Sequence, residues 1–466
     1  MTKGWELAGR VKPTNRQLAW QETEFYALIS YGLPVFTGKQ YGDGFAPPSM
    51  FWPEDMNVDS WCRTVKAAGM NGIVFTCKHY DGFCLWPTKM TDYSIANSNW
   101  LDGEGDLVRL VSSACRRHGL KFGIYISPWD RHEKSYGKGK AYDDFFCGCL
   151  EELLTSYGDV FCVWLDGQIG ANEIKKQDHD WSRYYKLIRE LAPEAVISFR
   201  GPDVRWCGNE SGHTRNEEWS VVPAYLGVLD DGSELPCTHK KSVNLLSNDI
   251  GGRKTIKDDE FFIWYPNEVS VPMRSHWFYD EEDKYSVKTK DKLLNLYFRT
   301  VGNNSALMLG LSPNKRGVLD ETDTQILTAL GYDLKIYFGY NLLTNAKIDA
   351  SSSFSDDCKP EYSKSITDSE CWRPALTDKK PVLSIQLNNE ELFDKIVLCE
   401  RILNGQHIEE FEIQVLNEKK KWKTVYSGTT VGYKKICCID PVRTDQLRIV
   451  FKSFRGFFEL NKLQLN

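Results

Sequence analysis

The sequence predicts an α/β protein in two parts: a TIM-like (β/α)8 barrel over residues 1–338 and a β-sandwich of jelly-roll type over residues 341–466. Short apolar runs alternate with helix-like patterns through residues 22–340, which is typical of a parallel sheet covered by helices. About eight such units fill roughly 300 residues, as a closed barrel requires. Near residue 341 the pattern changes to alternating polar and apolar residues between polar turns, which indicates an antiparallel sandwich.

Each element of the barrel has its own signal. The segment 106–119, "DLVRLVSSACRRHG", places apolar residues on one face and ends in basic residues and a glycine, so it predicts a helix. The other predicted helices are 58–69, 142–158, 181–193, 289–302 and 321–331, and the predicted strands are 25–32, 72–79, 121–129, 160–167, 195–201, 270–278 and 305–313. No GxGxxG or GxxxxGK[ST] motif follows an early strand, which argues against an open nucleotide-binding sheet.

Composition excludes several classes of function. The chain has 466 residues, a net charge of −6 and 41% hydrophobic residues, so it can bury a large core. It has no basic block for a nucleic-acid partner and no apolar run near the ~20 residues of a membrane span. The 14 cysteines lack zinc-ligand spacing, so we expect neither a metal nor a cofactor. The N-terminal residues lack the apolar core of a signal peptide, and the compartment stays open.

Polar and aromatic residues gather where the predicted strands end. In a (β/α)8 barrel the carboxyl ends of the strands meet at one mouth, where active sites lie. The stretch "NGIVFTCKHYDGFCLWPT" (71–88) delivers His79 and Tyr80 to that mouth and adds Trp86 to its wall. A lone histidine is more often a core residue whose hydrogen bonds are satisfied, but several strand ends here carry polar or aromatic residues. They carry Ser30, Trp129, Asp166, Arg274 and His276 as well.

Three carboxylates are candidates for glycosidase chemistry, which needs a pair of them. Asp166 in "VWLDGQ" follows a buried strand and precedes a glycine, although a residue in that position also caps helices. The second member of the pair is Glu210 in "RWCGNESG" or Glu268 in "YPNEVSV". Trp206 lies close enough in sequence to Glu210 to raise the pKa of a proton donor by burial.

The chain resembles glycoside hydrolase family 29, the retaining α-L-fucosidases, and in particular the branch that cleaves 1,3/1,4-linked fucose. The matching segments include "AAGMNGIVFTCKHYDGFCLWPTKMTDYSI", "HGLKFGIYISPWDRHEKSYG", "VWLDG", "GPDVRWCGNESG" and "LYFRTVGNNSALMLGLSP". The resemblance spans residues 16–335. Residues 341–466 are similar to a discoidin or coagulation-factor-type sandwich, a possible carbohydrate-binding module.

This resemblance implies roles for individual residues. Asp166 would be the nucleophile and Glu210 the general acid/base, with Glu268 as the alternative acid. His79, Trp164, Arg274 and Tyr125 match sugar-contacting positions. The resemblance also implies a secreted or periplasmic protein whose signal has been removed. Four positions that bind the fucose hydroxyls in the family carry other residues in this chain. They are Ser30, Gln40, Tyr41 and Tyr80. Leu28 replaces an aromatic near the fucose methyl group.

Two classes of function follow from these residues. The first is a retaining exo-α-L-glycosidase that removes a terminal α-L-fucose or a relative from an oligosaccharide or polysaccharide by double displacement. L-Galactose is an alternative sugar, either plain or 6-sulfated, with Arg274, His276 or Lys39 as anion partners. The second class is a non-catalytic sugar-binding protein. The changed sugar-binding residues are compatible with this class, whereas the retained carboxylates argue against it.

Overall fold

The computed structural model describes residues 3–167, 176–233, 244–364 and 370–466. Its first part is a nearly closed barrel of eight parallel strands, as predicted, in the spatial order β5-β4-β3-β2-β1-β10-β9-β6. A parallel bridge between Ser198 and Val204 joins the two ends of that sheet. The barrel strands are β1 (Phe25–Ile29), β2 (Gly72–Lys78), β3 (Lys121–Ile126), β4 (Cys162–Leu165), β5 (Val196–Phe199), β6 (Arg205–Trp206), β9 (Asn267–Pro272) and β10 (Ser305–Leu311), and a separate hairpin comprises β7 (Val221–Pro223) and β8 (Phe262–Trp264).

Helices surround the barrel. Those of the described residues are α1 (Gly4–Ala8), α2 (Asn15–Gln21), α3 (Leu33–Thr37), α4 (Val58–Ala67), α5 (Leu107–His118), α6 (Lys140–Ser156), α7 (Trp181–Leu191), α8 (Lys290–Thr300) and α9 (Glu321–Phe338). Short 3-10 turns occupy Pro48–Met50, Ile95–Asn97, Trp100–Gly103, Ala224–Leu226, Glu281–Tyr285, Pro360–Lys364 and Ile402–Asn404. None of the helices in the described ranges is both long and apolar enough to cross a bilayer.

Local sequence explains where these helices begin and end. In α5 the Asp106 carboxylate accepts a hydrogen bond from the Arg109 amide, which satisfies an otherwise unpaired N–H of the first turn. The helix ends at Gly119, whose φ of +65° suits the left-handed cap. The buried face of α5 packs on β2 and β3 and helps fix the two strands that carry much of the site.

Alternation along each strand separates two cores. Along β1, Phe25, Ala27 and Ile29 pack against the surrounding helices, whereas Tyr26 and Leu28 join a cluster inside the barrel. Because side chains alternate between the two faces of a strand, every second residue of β1 to β5 points toward the barrel axis. The interior residues nearest the carboxyl ends of the strands therefore form the floor of the mouth.

The second part of the chain is an antiparallel sheet domain, as predicted. Its strands are β11 (Lys347–Ala350), β12 (Val382–Glu400), β13 (Ile408–Leu416), β14 (Trp422–Gly428), β15 (Lys435–Phe454) and β16 (Leu460–Leu465). Alternate residues of these strands bury an apolar core, including Ile413, Ile449 and Phe451.

The sheet domain contacts the barrel at the amino ends of its strands. Lys435 donates to the Asn303 side chain over 2.6 Å, and Lys434 forms an ion pair with Glu24. Asn303 and Glu24 lie just before β10 and β1, at the end of the barrel opposite the mouth. These contacts therefore lie at the end of the barrel opposite the one where catalytic residues gather in such barrels.

The predicted strand 270–278 is wrong in its bounds. The strand β9 runs from Asn267 to Pro272, so residues 273–278 lie beyond its end in bends. Proline at the last position has no N–H to continue the ladder. This shift moves Glu268 into the strand and places Arg274 and His276 in the loop after it.

Candidate active site

A cavity of about 340 Å³ opens at the carboxyl ends of the barrel strands. It brings together most of the side chains that the sequence pointed to, and residues of six barrel strands or their following loops contribute to it. The lining residues are Leu28, Ser30, Gln40, Tyr41, Thr76, His79, Tyr80, Tyr125, Asp166, Glu210, Ser275, His276, Trp277 and Phe278.

Asp166 lies at the bottom of this cavity, directly after β4, and is 8% exposed. Its Oδ2 atom accepts a hydrogen bond from the Tyr125 hydroxyl at 2.5 Å and another from the Tyr80 hydroxyl. Two donors on one oxygen fix the orientation of the carboxylate. The carboxylate is thus held in one orientation beside the cavity.

The two tyrosines remain donors because their pKa values are high. Burial, together with the neighbouring Asp166 charge, raises the pKa of Tyr80 and of Tyr125 far above the usual value of a phenol. Both hydroxyls therefore carry their protons at neutral pH and act as donors.

Glu210 reaches the same cavity from the loop that follows β6. Its side chain is exposed, unlike that of Asp166. A carboxyl group at the rim can exchange protons with water between catalytic steps, which a proton donor must do. The cavity is therefore bordered by one buried and one accessible carboxyl group.

His79 presents a neutral imidazole to the cavity. Burial lowers its pKa to about 3, and the nearby charges of Lys78 and Arg131 act in the same direction. Lys78 itself is fully buried and pairs with Asp130 at 2.8 Å. In the described part of the chain nothing hydrogen-bonds the buried Nδ1 atom of His79. This nitrogen therefore has an unused hydrogen-bonding capacity beside the cavity that His79 lines.

Gln40 and Tyr41 shape the cavity in different ways. The Gln40 amide group donates to the Phe278 carbonyl and accepts from the Phe278 N–H, each at 3.0 Å. It therefore fixes the segment that carries Phe278. Tyr41 is 57% exposed and stacks on Tyr80 with ring centroids 5.9 Å apart. Tyr41 forms an outer wall above the tyrosine that holds Asp166.

His276 borders the cavity although it lies beyond β9. Its Nδ1 atom lies 2.6 Å from Asp283, a buried carboxylate that orients the ring. Its side chain remains about half exposed. Within the described ranges, no three His, Cys, Asp or Glu side chains come together as a metal site.

Three of the predicted tryptophans lie around the cavity and not in its lining. Trp129 contacts the Tyr80 ring at 4.5 Å and borders a smaller neighbouring cavity that also reaches Asp166. Trp164 stacks beneath Tyr125 at 5.1 Å, inside the barrel. Trp206 lines a groove beyond Gly167. We therefore place Trp164 in support of Tyr125 and Trp206 outside the sugar cavity.

Glu268 does not reach the cavity, contrary to its prediction as the alternative acid. It is fully buried inside the barrel, where Oε1 accepts from the Trp164 indole N–H at 2.6 Å and Oε2 accepts from the Tyr26 hydroxyl. Burial raises the pKa of Glu268. Because residues of β9 alternate and the strand starts at residue 267, this side chain points into the core, away from substrate.

Arg274 and Trp86 are also outside the cavity, contrary to prediction. The Arg274 guanidinium is buried and forms ion pairs with Asp320 and Asp323, each at 2.8 Å. The Trp86 indole is buried and donates to Glu152 at 2.8 Å. These partners lie in helices or loops distant in sequence, so no local pattern indicated that both side chains are satisfied structurally.

Sequence reasoning missed four lining residues: Thr76, Ser275, Trp277 and Phe278. Thr76 lies inside β2, and its alternation with Val74 was the available signal. The other three flank His276 in "RSHWF", a stretch assigned to a strand whose true end is earlier.

Known proteins resemble the chain over nearly its whole length. The model of the family described as alpha-L-fucosidase matches residues 11–221 and 238–338, and the model of the NedA-like galactose-binding domain matches residues 363–449. The chain is 32% identical to alpha-L-fucosidase 1 of Arabidopsis thaliana over 449 residues, which cover 95% of this chain and 85% of the relative.

Solved structures give the same picture. A structure named SpGH29 superposes with a TM-score of 0.87 at 28% identity and covers 98% of both chains. A GH29 fucosidase of Ruminococcus gnavus in complex with fucose superposes with a TM-score of 0.86 at 26% identity, covering 98% of this chain and 95% of that one.

Proposed function

The chain belongs to the α-L-fucosidase family of glycoside hydrolases, family 29, and we propose that it is a retaining exo-α-L-fucosidase. Its substrate would be a terminal α-L-fucose on an oligosaccharide or polysaccharide. The single observation that carries the proposal is that Asp166, held by two tyrosine hydroxyls, and Glu210, accessible at the rim, border one cavity.

In the proposed first step Asp166 attacks the anomeric carbon while Glu210 gives a proton to the leaving oxygen. The hydrogen bonds from Tyr80 and Tyr125 keep the Asp166 carboxylate oriented before the attack. In the second step Glu210 takes a proton from water, and that water cleaves the glycosyl ester with overall retention. The neutral imidazole of His79 is placed to bind a hydroxyl of the sugar.

The mechanism is tested with aryl α-L-fucosides and the variants Asp166→Ala and Glu210→Ala. We expect Asp166→Ala to abolish turnover. Glu210→Ala should slow substrates with poor leaving groups most, and azide should restore its rate by attacking the ester. NMR of the first-formed sugar should show the α-anomer. A first-formed β-anomer would remove Asp166 from the role of nucleophile.

A second sugar, α-L-galactose, is favoured by one observation. The Ser30 and Thr76 hydroxyls border the cavity next to Leu28. Neither hydroxyl group forms a hydrogen bond with a described residue. L-Galactose differs from fucose by one hydroxyl on C6. A site with unpaired hydrogen-bonding groups can bind this hydroxyl and so favour L-galactose. A comparison of kcat/KM for aryl α-L-fucoside and aryl α-L-galactoside decides between the two sugars.

We do not propose a 6-sulfated sugar as the substrate. Lys39, Arg274 and His276, its three candidate anion partners, lie next to Asp43, Asp323 and Asp283 respectively. An anionic group would have to compete with these carboxylates. The alternative of a non-catalytic sugar-binding protein is a possible outcome of the same assay: binding of free sugar with no hydrolysis of any aryl α-L-glycoside.

A further inference from the structure

A buried ion pair lies directly behind the candidate active site. Lys78, the last residue of β2, donates from Nζ to Oδ2 of Asp130 over 2.8 Å, and neither side chain is more than 1% exposed. Removing two charges from water costs free energy, so a buried ion pair seldom adds stability over an apolar pair of similar volume. Stability alone therefore does not explain why the chain carries these two charges.

An irregularity in β2 directs Lys78 away from the cavity. Thr76 pairs with Tyr125 of β3, and the next residue of β3 pairs with Lys78, so Cys77 is an extra residue in β2. Such a bulge changes the direction of the side chains that follow it. The Lys78 ammonium lies 5.9 Å from an aromatic ring of α6, whereas His79 lines the cavity. Lys78 thus lies behind the wall that the next residues of the chain form.

Asp130 uses its other oxygen to shape the segment after β3, residues 127–133, which we call the β3 loop. Its Oδ1 atom accepts hydrogen bonds from the backbone N–H groups of His132 and Glu133 at 2.9 and 2.8 Å. One carboxylate thus joins the turn of the β3 loop to the end of β2. Burial lowers the pKa of Lys78, but Asp130 acts in the opposite direction, and the pKa ends above its usual value. The ammonium therefore stays charged at neutral pH.

The β3 loop in turn holds Tyr80. The Arg131 N–H donates to the Tyr80 carbonyl at 2.9 Å, and the centroid of the Trp129 ring lies 4.5 Å from that of the Tyr80 ring. Gly82 permits a close approach, because its φ is +83° and a Cβ atom there would lie 2.4 Å from Oδ1 of Asp130. The segment that carries Tyr80 and the β3 loop are therefore in direct contact.

The β3 loop also holds the segment that carries Tyr41. The Arg131 guanidinium donates to the Gly42 carbonyl at 2.5 Å. The neighbouring Tyr41 ring stacks on the Tyr80 ring. Two aromatic rings beside Tyr80, those of Trp129 and Tyr41, thus depend on the position of the β3 loop.

We propose that Lys78 and Asp130 are positioning residues for the reaction: they hold the β3 loop against β2 and thereby keep the Tyr80 hydroxyl on Asp166. The proposal rests on the proposed function, in which Asp166 is the nucleophile. Neither member of the pair lines the cavity, so both act through Tyr80 and not by contact with the sugar. Without the pair the β3 loop can move, and Asp166 loses one of the donors that orient it. A misplaced nucleophile reacts more slowly.

The test removes the ion pair without leaving a buried charge. In the variant Lys78→Met/Asp130→Asn both charges are absent, and the asparagine oxygen can still accept from the turn of the β3 loop. The effect is measured as kcat/KM for an aryl α-L-fucoside, which reports the steps up to formation of the glycosyl ester. We expect a loss of about tenfold, as for one lost hydrogen bond to a charged group.

A double-mutant cycle with Tyr80→Phe separates positioning from a general effect on folding. If the pair acts through Tyr80, its replacement should lower kcat/KM about tenfold in the wild type and by less than about twofold in Tyr80→Phe. Equal losses in both backgrounds, or no loss in the wild type, would overturn the proposal.

Gly82→Ala is an independent variant in case the double replacement does not fold. It leaves both charges in place and pushes Asp130 away from the segment that carries Tyr80, so its loss of kcat/KM should depend on Tyr80 in the same way. The matched control is Lys434→Met/Glu24→Gln, which neutralises an ion pair at the opposite end of the barrel. The control should keep kcat/KM within about twofold of the wild type. A loss in the control as large as in the pair variant, or a loss in Gly82→Ala that is independent of Tyr80, would also overturn the proposal.

The failure of the proposed function looks different. If the wild type hydrolyses no aryl α-L-fucoside or α-L-galactoside, the glycosidase assignment is wrong and the positioning role falls with it. If the wild type is active and the pair variant is as active as the control, only the positioning role is wrong.

Discussion

Replacing Glu268 should mainly lower the free energy of unfolding, whereas replacing Glu210 should mainly lower activity. The reason is that Glu268 is buried in the barrel and Glu210 borders the cavity. Glu268→Ala removes the acceptor of two buried donors, the Trp164 indole N–H and the Tyr26 hydroxyl. An unsatisfied buried donor costs about 1–3 kcal/mol. The free energy of unfolding should therefore fall by about 2–6 kcal/mol, before any cost of the cavity left behind.

Glu268→Gln should cost less, roughly 1–3 kcal/mol. The glutamine oxygen can still accept from Trp164. Its NH2 group, however, meets a Tyr26 oxygen that already accepts from the Trp20 indole at 3.1 Å. Glu210→Ala should change the free energy of unfolding by no more than about 0.5 kcal/mol, because its side chain is exposed.

Two assays separate the roles. Unfolding by guanidinium chloride, followed by tryptophan fluorescence, measures stability. Hydrolysis of aryl fucosides with good and poor leaving groups, with and without azide, measures catalysis. Glu268→Ala should lose stability, and some activity through Trp164 and Tyr125, without azide rescue. Azide rescue of Glu268→Ala together with unchanged stability would refute this reasoning and make Glu268 the acid.

Two further predictions concern the cavity. Gln40→Ala should raise KM and lower the free energy of unfolding by about 1–3 kcal/mol, because two hydrogen bonds to Phe278 disappear; an unchanged KM would show that Phe278 does not need this support. Burial holds the pKa of His79 at about 3 in the folded chain, against about 6.5 when unfolded, so the imidazole should stay neutral from pH 5 to 9 in an NMR titration. The matching stability should be complete above pH 6.5 and decline as the pH falls toward 3, and His79→Gln should weaken that decline; a His79 titration midpoint above pH 5 would contradict the assignment.

Local patterns were enough to predict the barrel. The helix at 106–119 was predicted almost to its ends because Asp106 and Gly119 are caps that act within one turn. The strand before His79 was likewise recognisable from its apolar, β-branched residues. Since the carboxyl ends of parallel strands meet, these local assignments already placed Ser30, His79, Tyr80 and Asp166 at one mouth.

The bounds of one strand were the point at which this reasoning failed. The strand predicted at 270–278 runs from Asn267 to Pro272, so Glu268 lies inside the strand with a buried side chain, and Arg274 lies in the loop after it. An error of a few residues in the bounds of a strand changes which residues lie at its carboxyl end.

The sequence by itself determined the order of the elements, the two-part architecture and the chemical types present at the strand ends, because propensity, capping and alternation act over a few residues. The tertiary structure alone decided which polar groups are already paired. Arg274 forms ion pairs with Asp320 and Asp323, and the Trp86 indole donates to Glu152. The Gln40 amide donates to the Phe278 carbonyl. Pairing depends on contacts between residues far apart in the chain, and no local pattern records such contacts.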